Sequence, residues 1–224
     1  MDILDRLNEI NEHIRIYPAS DKRFNSYGMI HKADGMDAVI DFLKGNAVAE
    51  ERQVYYEMSV EGLERQNKFN EYIKKTIYGE MDLQLGWCYG WCTRLGGLEY
   101  HKGSEVIAAA TDIVLLLGHR RDIELKGKPV YDLSKVEAFL VKEGALVELY
   151  ANTLHCTPLQ VKTSQQFTTA IALPKGTNGA LSFRCEADGE NVMRAAVNKW
   201  MISHPESGQG YIGITGDNIE IKTV

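Results

Sequence analysis

The chain lacks what would mark it for a membrane, a secretory route or a nucleic acid. No uninterrupted apolar run approaches a bilayer span, and the opening Met1-Asp2-Ile3-Leu4-Asp5-Arg6-Leu7 puts acidic residues where a secretory peptide needs basic ones. A cytoplasmic protein is expected. Lys and Arg number 25 against 31 Asp and Glu, for a formal charge of -6, and no basic run interleaves with aromatics. That balance argues against a nucleic-acid partner and for a small-molecule one.

Cysteine is also scarce and unpaired in spacing. The four, at 88, 92, 156 and 185, do not match a zinc ribbon, and a cytoplasmic chain of this size needs no disulfide, so they read as free thiols. Cys88-x-x-x-Cys92 would suit a metal on a helix, but Leu83-Gln84-Leu85-Gly86-Trp87-Cys88-Tyr89 alternates in the manner of a strand. No linker rich in Pro, Gly or Ser divides the chain, and no segment repeats. With 224 residues, 44% hydrophobic and 25% charged, the composition is that of a soluble globular protein long enough to enclose a substantial core.

What is present divides into a helical start and a β-rich remainder. Ile3, Leu4, Leu7, Ile10 and Ile14 recur at helical spacing before Pro18, and Met36 to Lys44 repeats the pattern ahead of Gly45. Residues 54–60 predict a strand, and 61–76 a surface helix with Leu63, Phe69, Tyr72 and Ile73 turned inward. From Met81, β-type runs follow at 83–93, 97–101, 104–109, 113–117, 136–140, 145–150, 154–161 and 167–173, separated by turn signals such as Gly96-Gly97 and Lys126-Gly127-Lys128-Pro129. Many short strands at regular spacing predict a sandwich or barrel. Towards the end, a helix is expected from Gly189 to about Trp200, then a hairpin of 211–214 with 219–222.

The chemistry concentrates in Glu99-Tyr100-His101-Lys102-Gly103-Ser104-Glu105 and Asn152-Thr153-Leu154-His155. On a strand, Glu99 and His101 share a face with Cα atoms about 6.6 Å apart, close enough to converge on one ion. Two carboxylates and two imidazoles inside an apolar fold require a cation or protonation to offset burial. Either a divalent ion is held by Glu99, His101, Glu105 and His155, or the glutamates are solvated and His155 bonds a loop. Mixed N and O donors suit Mn, Fe, Ni or Zn. Glu105 serves as ligand or, next to an ion, as general base. Glu148 and Tyr150 share parity before His155, which turns both toward the cavity. Lys199, in the polar-aromatic cluster Asn198-Lys199-Trp200 near His204, is a candidate to cap the cavity and bind a carboxylate. Glu105, Tyr150 and Lys199 are therefore the candidate catalytic residues. Lys102 should point away from His101, and Cys156 should pack as a small apolar group.

These intervals resemble the cupin motifs. Glu99-x-His101, three residues, Glu105, six residues and Asp112 keeps the first register, with Glu for the first His and with Thr93 and Asp112 at glycine positions. Gly144, five residues, Tyr150-x-Asn152, two residues, His155, three residues and Leu159 keeps the second, with Tyr150, Asn152 and Leu159 replacing Pro, Gly and Asn. Phe24-Asn25-Ser26-Tyr27-Gly28, Leu98 to Glu105, and Asn152-Thr153-Leu154-His155-Cys156-Thr157-Pro158 are similar in wording to the ureidoglycolate lyase group and an adjoining bacterial cupin family.

The resemblance implies a mainly β, cupin-type (double-stranded β-helix) barrel with N-terminal helices. Residues 1–80 would pack on the barrel, 81–175 form its core and 176–224 complete the same domain. It also implies a homodimer. The function it suggests is a metal-dependent lyase or isomerase acting on a sugar, sugar acid or ureido acid. A sugar- or sugar-acid-binding cupin without turnover is the alternative.

Overall fold

A computed structural model describes residues 2–183 and 188–224. The fold is mainly β, built as layers around two stacked sheets. A six-stranded sheet runs, in spatial order, Gly28–His31, Leu146–Leu149, Glu105–Ala109, Phe167–Pro174, Leu83–Gly90 and Val54–Glu57, all antiparallel. A five-stranded sheet centres on Ile113–His119, which pairs with Glu137–Val141 and with the short strands Thr153–Leu154 and Leu159–Gln160. Ile16–Pro18 lies parallel at its edge.

Residue alternation explains the layering. Ile113, Leu115 and Leu117 meet Ile107, Val147, Leu149 and Ile171 between the two sheets, while Val114 and Leu116 face the opposite way into a second core. A strand buried on both faces must be apolar at every position, which is why residues 113–117 contain no polar side chain. Among the described residues hydrogen bonding does not close these sheets into a ring, so the expected barrel is realised as stacked sheets.

The outer face of the six-stranded sheet is covered by helices. Val39 and Leu43 of the Met36–Asn46 helix, together with Leu63, Phe69 and Ile73, pack on Val106, Ala108, Leu146 and Ala170. The single helix expected over 61–76 is instead Glu61–Glu64, Asn67–Tyr72 and a π turn Ile73–Ile77. At the break, the Asn70 amide donates to the carbonyls of Leu63 and Glu64, groups that a helix end leaves without partners. The first helix spans Ile3–Ile10, capped by the Asp2 carboxylate. It stops at Asn11, whose fully buried side chain bonds both the Lys222 carbonyl and amide and so ties the two ends of the chain together.

The last fifty residues depart most from expectation. The helix predicted from Gly189 is one 3-10 turn, Gly189–Met193, followed by strands Arg194–Ala196 and Lys199–Ser203. The predicted terminal hairpin does not form: Ile214–Thr215 pairs parallel with Tyr131–Asp132, and Glu220 bridges Arg94. Tertiary pairing overrides local propensity here, because Lys199–Ser203 lies antiparallel to Gly97–Tyr100 in a third, four-stranded sheet. That pairing carries Lys199 to the strand bearing Glu99.

One glycine is fixed by close approach. A Cβ on Gly28 would stand 1.9 Å from the Glu148 carbonyl oxygen of the paired strand, so no other residue fits without moving the backbone.

Candidate metal centre

The four donors come from three segments brought together by pairing and one turn. Glu99 and His155 form an antiparallel bridge, with amide-to-carbonyl bonds of 2.8 and 2.9 Å, so their side chains lie on the same side. His101, two residues beyond Glu99, shares that face. The turn at Lys102-Gly103-Ser104 reverses the chain, and Glu105 opens the next strand. One donor atom from each of Glu99, His101, Glu105 and His155 lies within 4.8 Å of all the others.

Both imidazoles are held in one orientation from behind. His101 Nδ1 donates to the Asn198 carbonyl at 2.8 Å, and His155 Nδ1 to the Thr153 carbonyl at 3.1 Å. A carbonyl only accepts, so each Nδ1 carries hydrogen and each ring turns its Nε2 inward, where it offers a lone pair once any proton there is displaced. Both Nε2 atoms are buried and have no hydrogen-bond partner. Each stands 3.3 Å from Glu105 Oε2. Lone pairs facing a carboxylate oxygen in a buried space repel unless a proton or a cation lies between them. Donors bound at about 2.1 Å to one ion lie about 3 Å or more apart, so the spacing and the donor set fit a divalent cation.

Charge balance sets the protonation of the ion-free cluster. Burial disfavours charge on His101, but the neighbouring carboxylates of Glu105 and Glu99 outweigh it and raise the pKa to about 10. Burial also opposes ionisation of Glu99, yet His101, Lys199 and His155 bring its pKa down to about 2. Glu105 is shifted in the same direction: burial is outweighed by His155 and His101.

The two carboxylates are not equivalent. Glu105 is central, with one oxygen equidistant from both imidazoles. Glu99 Oε1 is farther out, 3.7 Å from His101 Nε2 and 3.9 Å from His155 Nε2, and its Oε2 contacts Lys199 Nζ at 2.5 Å. Of the two, Glu105 therefore fits a ligand better than a free base, and Glu99 is the more loosely engaged.

A cavity of about 200 Å³ opens over the cluster. Lys199, Tyr56, Asn178, Cys88, Cys156 and Ile171 line it beside Glu99, Glu105 and His155. Burial raises the pKa of both Cys88 and Cys156, so these walls are neutral thiols. Cys92 is also free, and Cys185 lies outside the described residues. A second cavity of about 180 Å³ meets the same Glu99, Cys156 and Thr157 near Met201. A larger open cleft of about 590 Å³ near Asn70, Lys74 and Asp82 holds none of the four donors.

Lys199 thus stands at the site, whereas Tyr150 does not line the cavity. Its strand ends at Leu149, which pairs with Glu105, so Glu148 lies opposite Val106 and faces the helical layer. There Glu148 bonds His31 at 2.9 Å and Ser104 at 2.7 Å. The parity that joined Glu148 and Tyr150 is corrected by this register. Lys102 points away as expected, its Nζ 4.3 Å from the centre of the Trp200 ring. Sequence reasoning missed Tyr56 and Asn178. Asn178 has φ 68, and a lone Asn after Gly176-Thr177 was the available sign of a left-handed residue.

Fold and site together define a mainly β protein with a four-donor Glu/His centre. The chain belongs to the family described as Domain of unknown function (DUF4867), whose model matches residues 16–219. No curated protein matches it. Among solved structures, a deletion mutant of Bacillus subtilis oxalate decarboxylase aligns with 57% of this chain and 27% of its own, at 8% identity and TM-score 0.31. A cupin-like protein from Thermotoga maritima aligns over 53% of this chain and 66% of its own, at 16% identity and TM-score 0.28. Vicilin from Corylus avellana aligns over 56% and 30%, at 7% identity and TM-score 0.31. This chain spans about a quarter of the oxalate decarboxylase chain it matches. Likenesses this distant carry no information on the reaction. Among the described residues, no helix is long and apolar enough to cross a membrane.

Proposed function

We propose that the protein is a metal-dependent enzyme of cupin type, a lyase or isomerase acting on a small polyoxygenated substrate such as a sugar, sugar acid or ureido acid. The observation that carries this reading is the pair of buried, unpartnered Nε2 atoms, on His101 and His155, both facing Glu105. His101, His155, Glu105 and Glu99 would hold the ion. A bound divalent ion supplies Lewis acidity, which lowers the barrier to proton abstraction beside a carbonyl or to cleavage of a carbon–oxygen or carbon–nitrogen bond.

The remaining roles belong to side chains at the cavity. Glu99 Oε2, shared with Lys199, holds or moves a proton at the substrate, and Lys199 orients an anionic oxygen. Ile171 and the neutral thiols of Cys88 and Cys156 exclude water from that face.

Metal analysis of protein purified without chelator tests the reading, followed by a turnover screen of sugars, sugar acids and ureido acids. About one divalent ion per chain is expected, lost from a folded Glu99→Gln/His101→Ala double variant. Full metal content in that variant would overturn the assignment, and a ligand that binds but stays unchanged would favour a binding protein.

A further inference from the structure

The cavity walls restrict what can enter more tightly than the centre does. Resting on the metal-centre reading above, we propose that the cavity selects a small dihydroxy acid carrying one negative charge, with its carboxylate on Lys199 and its terminal hydroxyl donating to Asn178 Oδ1. Three independent features of the pocket lead to this ligand class.

The first is charge. Among the residues lining the cavity, the acidic and basic side chains with fixed opposite charges are Glu99, Glu105 and Lys199. A divalent cation balances the two carboxylates and leaves the Lys199 ammonium as a net single positive charge in a confined space. A neutral polyol leaves that charge uncompensated, and a dianion overshoots it; a monocarboxylate matches it.

The second is the hydrogen-bonding inventory at the mouth. Asn178 Nδ2 donates to the Tyr56 hydroxyl at 2.6 Å, so the phenol oxygen is an acceptor there and its own hydrogen remains available. Asn178 Oδ1 is buried with no hydrogen-bond partner among the described residues. The pair therefore offers one donor, on Tyr56, and asks for one, at Asn178. A ligand hydroxyl supplies and accepts in that pattern, whereas a plain alkyl chain leaves Asn178 Oδ1 without a partner. Asn178 is held in the left-handed region, at φ 68, and its amide donates to the Val197 carbonyl at 2.9 Å.

The third is size. At about 30 Å³ per water, the 200 Å³ cavity holds the equivalent of six or seven waters. That admits an acid of three or four carbons together with a few waters. Ile171, Val54 and Pro158 supply the apolar side of the pocket, against which a short carbon chain rests.

The proposal is tested with protein loaded with Mn(II), using glycerate, lactate, glycerol and tartronate as probes in calorimetry, with bound metal measured on each sample. Glycerate is expected to bind at least about tenfold more tightly than either glycerol, its neutral counterpart, or tartronate, its dianionic one. Lys199→Met should bring glycerate and glycerol within about threefold of each other while binding the ion at least as tightly as wild type, since it removes a cation competing for Glu99. Asn178→Gly, which keeps the left-handed backbone, should weaken glycerate several-fold and leave lactate, which lacks the second hydroxyl, unchanged. Equal affinity for glycerate and glycerol in metal-loaded wild type, or an undiminished preference in Lys199→Met, would overturn the proposal and leave the metal centre standing. Absence of any bound ion would instead overturn the metal centre and this proposal with it.

Discussion

Asn198 holds the end of the His101 strand at two points: its carbonyl oxygen accepts the His101 Nδ1 hydrogen at 2.8 Å, and its Oδ1 accepts the Lys102 amide, also at 2.8 Å. The residue sits at φ 55, a left-handed conformation that Asn and Gly adopt and most others resist. One left-handed position thus fixes both the tautomer of a donor and the start of the turn that leads to Glu105.

Replacing Asn198 should therefore separate backbone from side chain. Asn198→Gly keeps the left-handed conformation and the carbonyl, whereas Asn198→Ala pays about 1–2 kcal/mol of backbone strain. Loss of outer partners of a ligating His typically costs about 10–100-fold in metal affinity. Competition titration should show Ala weakening the ion more than Gly does; the reverse order would show that the backbone conformation is not what positions His101.

The carboxylates should differ in the same assay. Glu105→Gln removes the oxygen lying 3.3 Å from both imidazoles, and its loss in affinity should exceed about 100-fold, beyond what an outer partner costs. Glu99→Gln removes a more distant carboxylate already shared with Lys199, and should cost less. Equal losses would mean that Glu99 moves inward when the ion binds.

The pH dependence follows from His101. In metal-free protein its pKa is raised to about 10, above an unfolded value near 6.5. Its contribution to stability is thus fully present below about pH 6.5 and is lost as pH rises through about 10. Glu99, lowered to about 2, contributes stability above its unfolded pKa that is lost as pH falls through the folded value. Thermal melts of chelator-treated protein should fall from pH 7 to 10 and again in acid. Because the ion displaces the His101 proton, its apparent affinity should rise about tenfold per pH unit between pH 6 and 8. A pH-independent affinity would mean that His101 is neutral before metal binds.

Stability should be most sensitive where the two sheets meet. Phe139 lies 5.4 Å from Phe24 and 5.5 Å from Tyr27 between ring centres and is fully buried. Phe139→Ala should cost about 3–5 kcal/mol in denaturant unfolding. A loss under about 1 kcal/mol would show that the sheets close over the gap.

Much of the centre was legible because its geometry is local. Alternation places Glu99 and His101 on one face, and a short turn returns Glu105 to them. Parity alone misplaces Tyr150, because a side chain's face depends on strand register, which counting from one strand end cannot supply: Leu149, not Glu148, lies opposite Glu105. Lys199 stands out by its chemistry, although local propensity puts its segment in a helix; only pairing with the Glu99 strand explains why it reaches the site. Tyr56, on the edge strand Val54–Glu57, and Asn178, in a left-handed turn, reach the cavity through long-range packing that leaves no periodic trace in the sequence.

X-ray absorption at the edge of the bound ion, on wild type and on a His155→Ala variant of matched metal content, tests the centre most directly. Two imidazole nitrogens with carboxylate oxygens are expected in the wild-type shell, and one nitrogen fewer in the variant. A shell without imidazole, or one unchanged by the substitution, would contradict it.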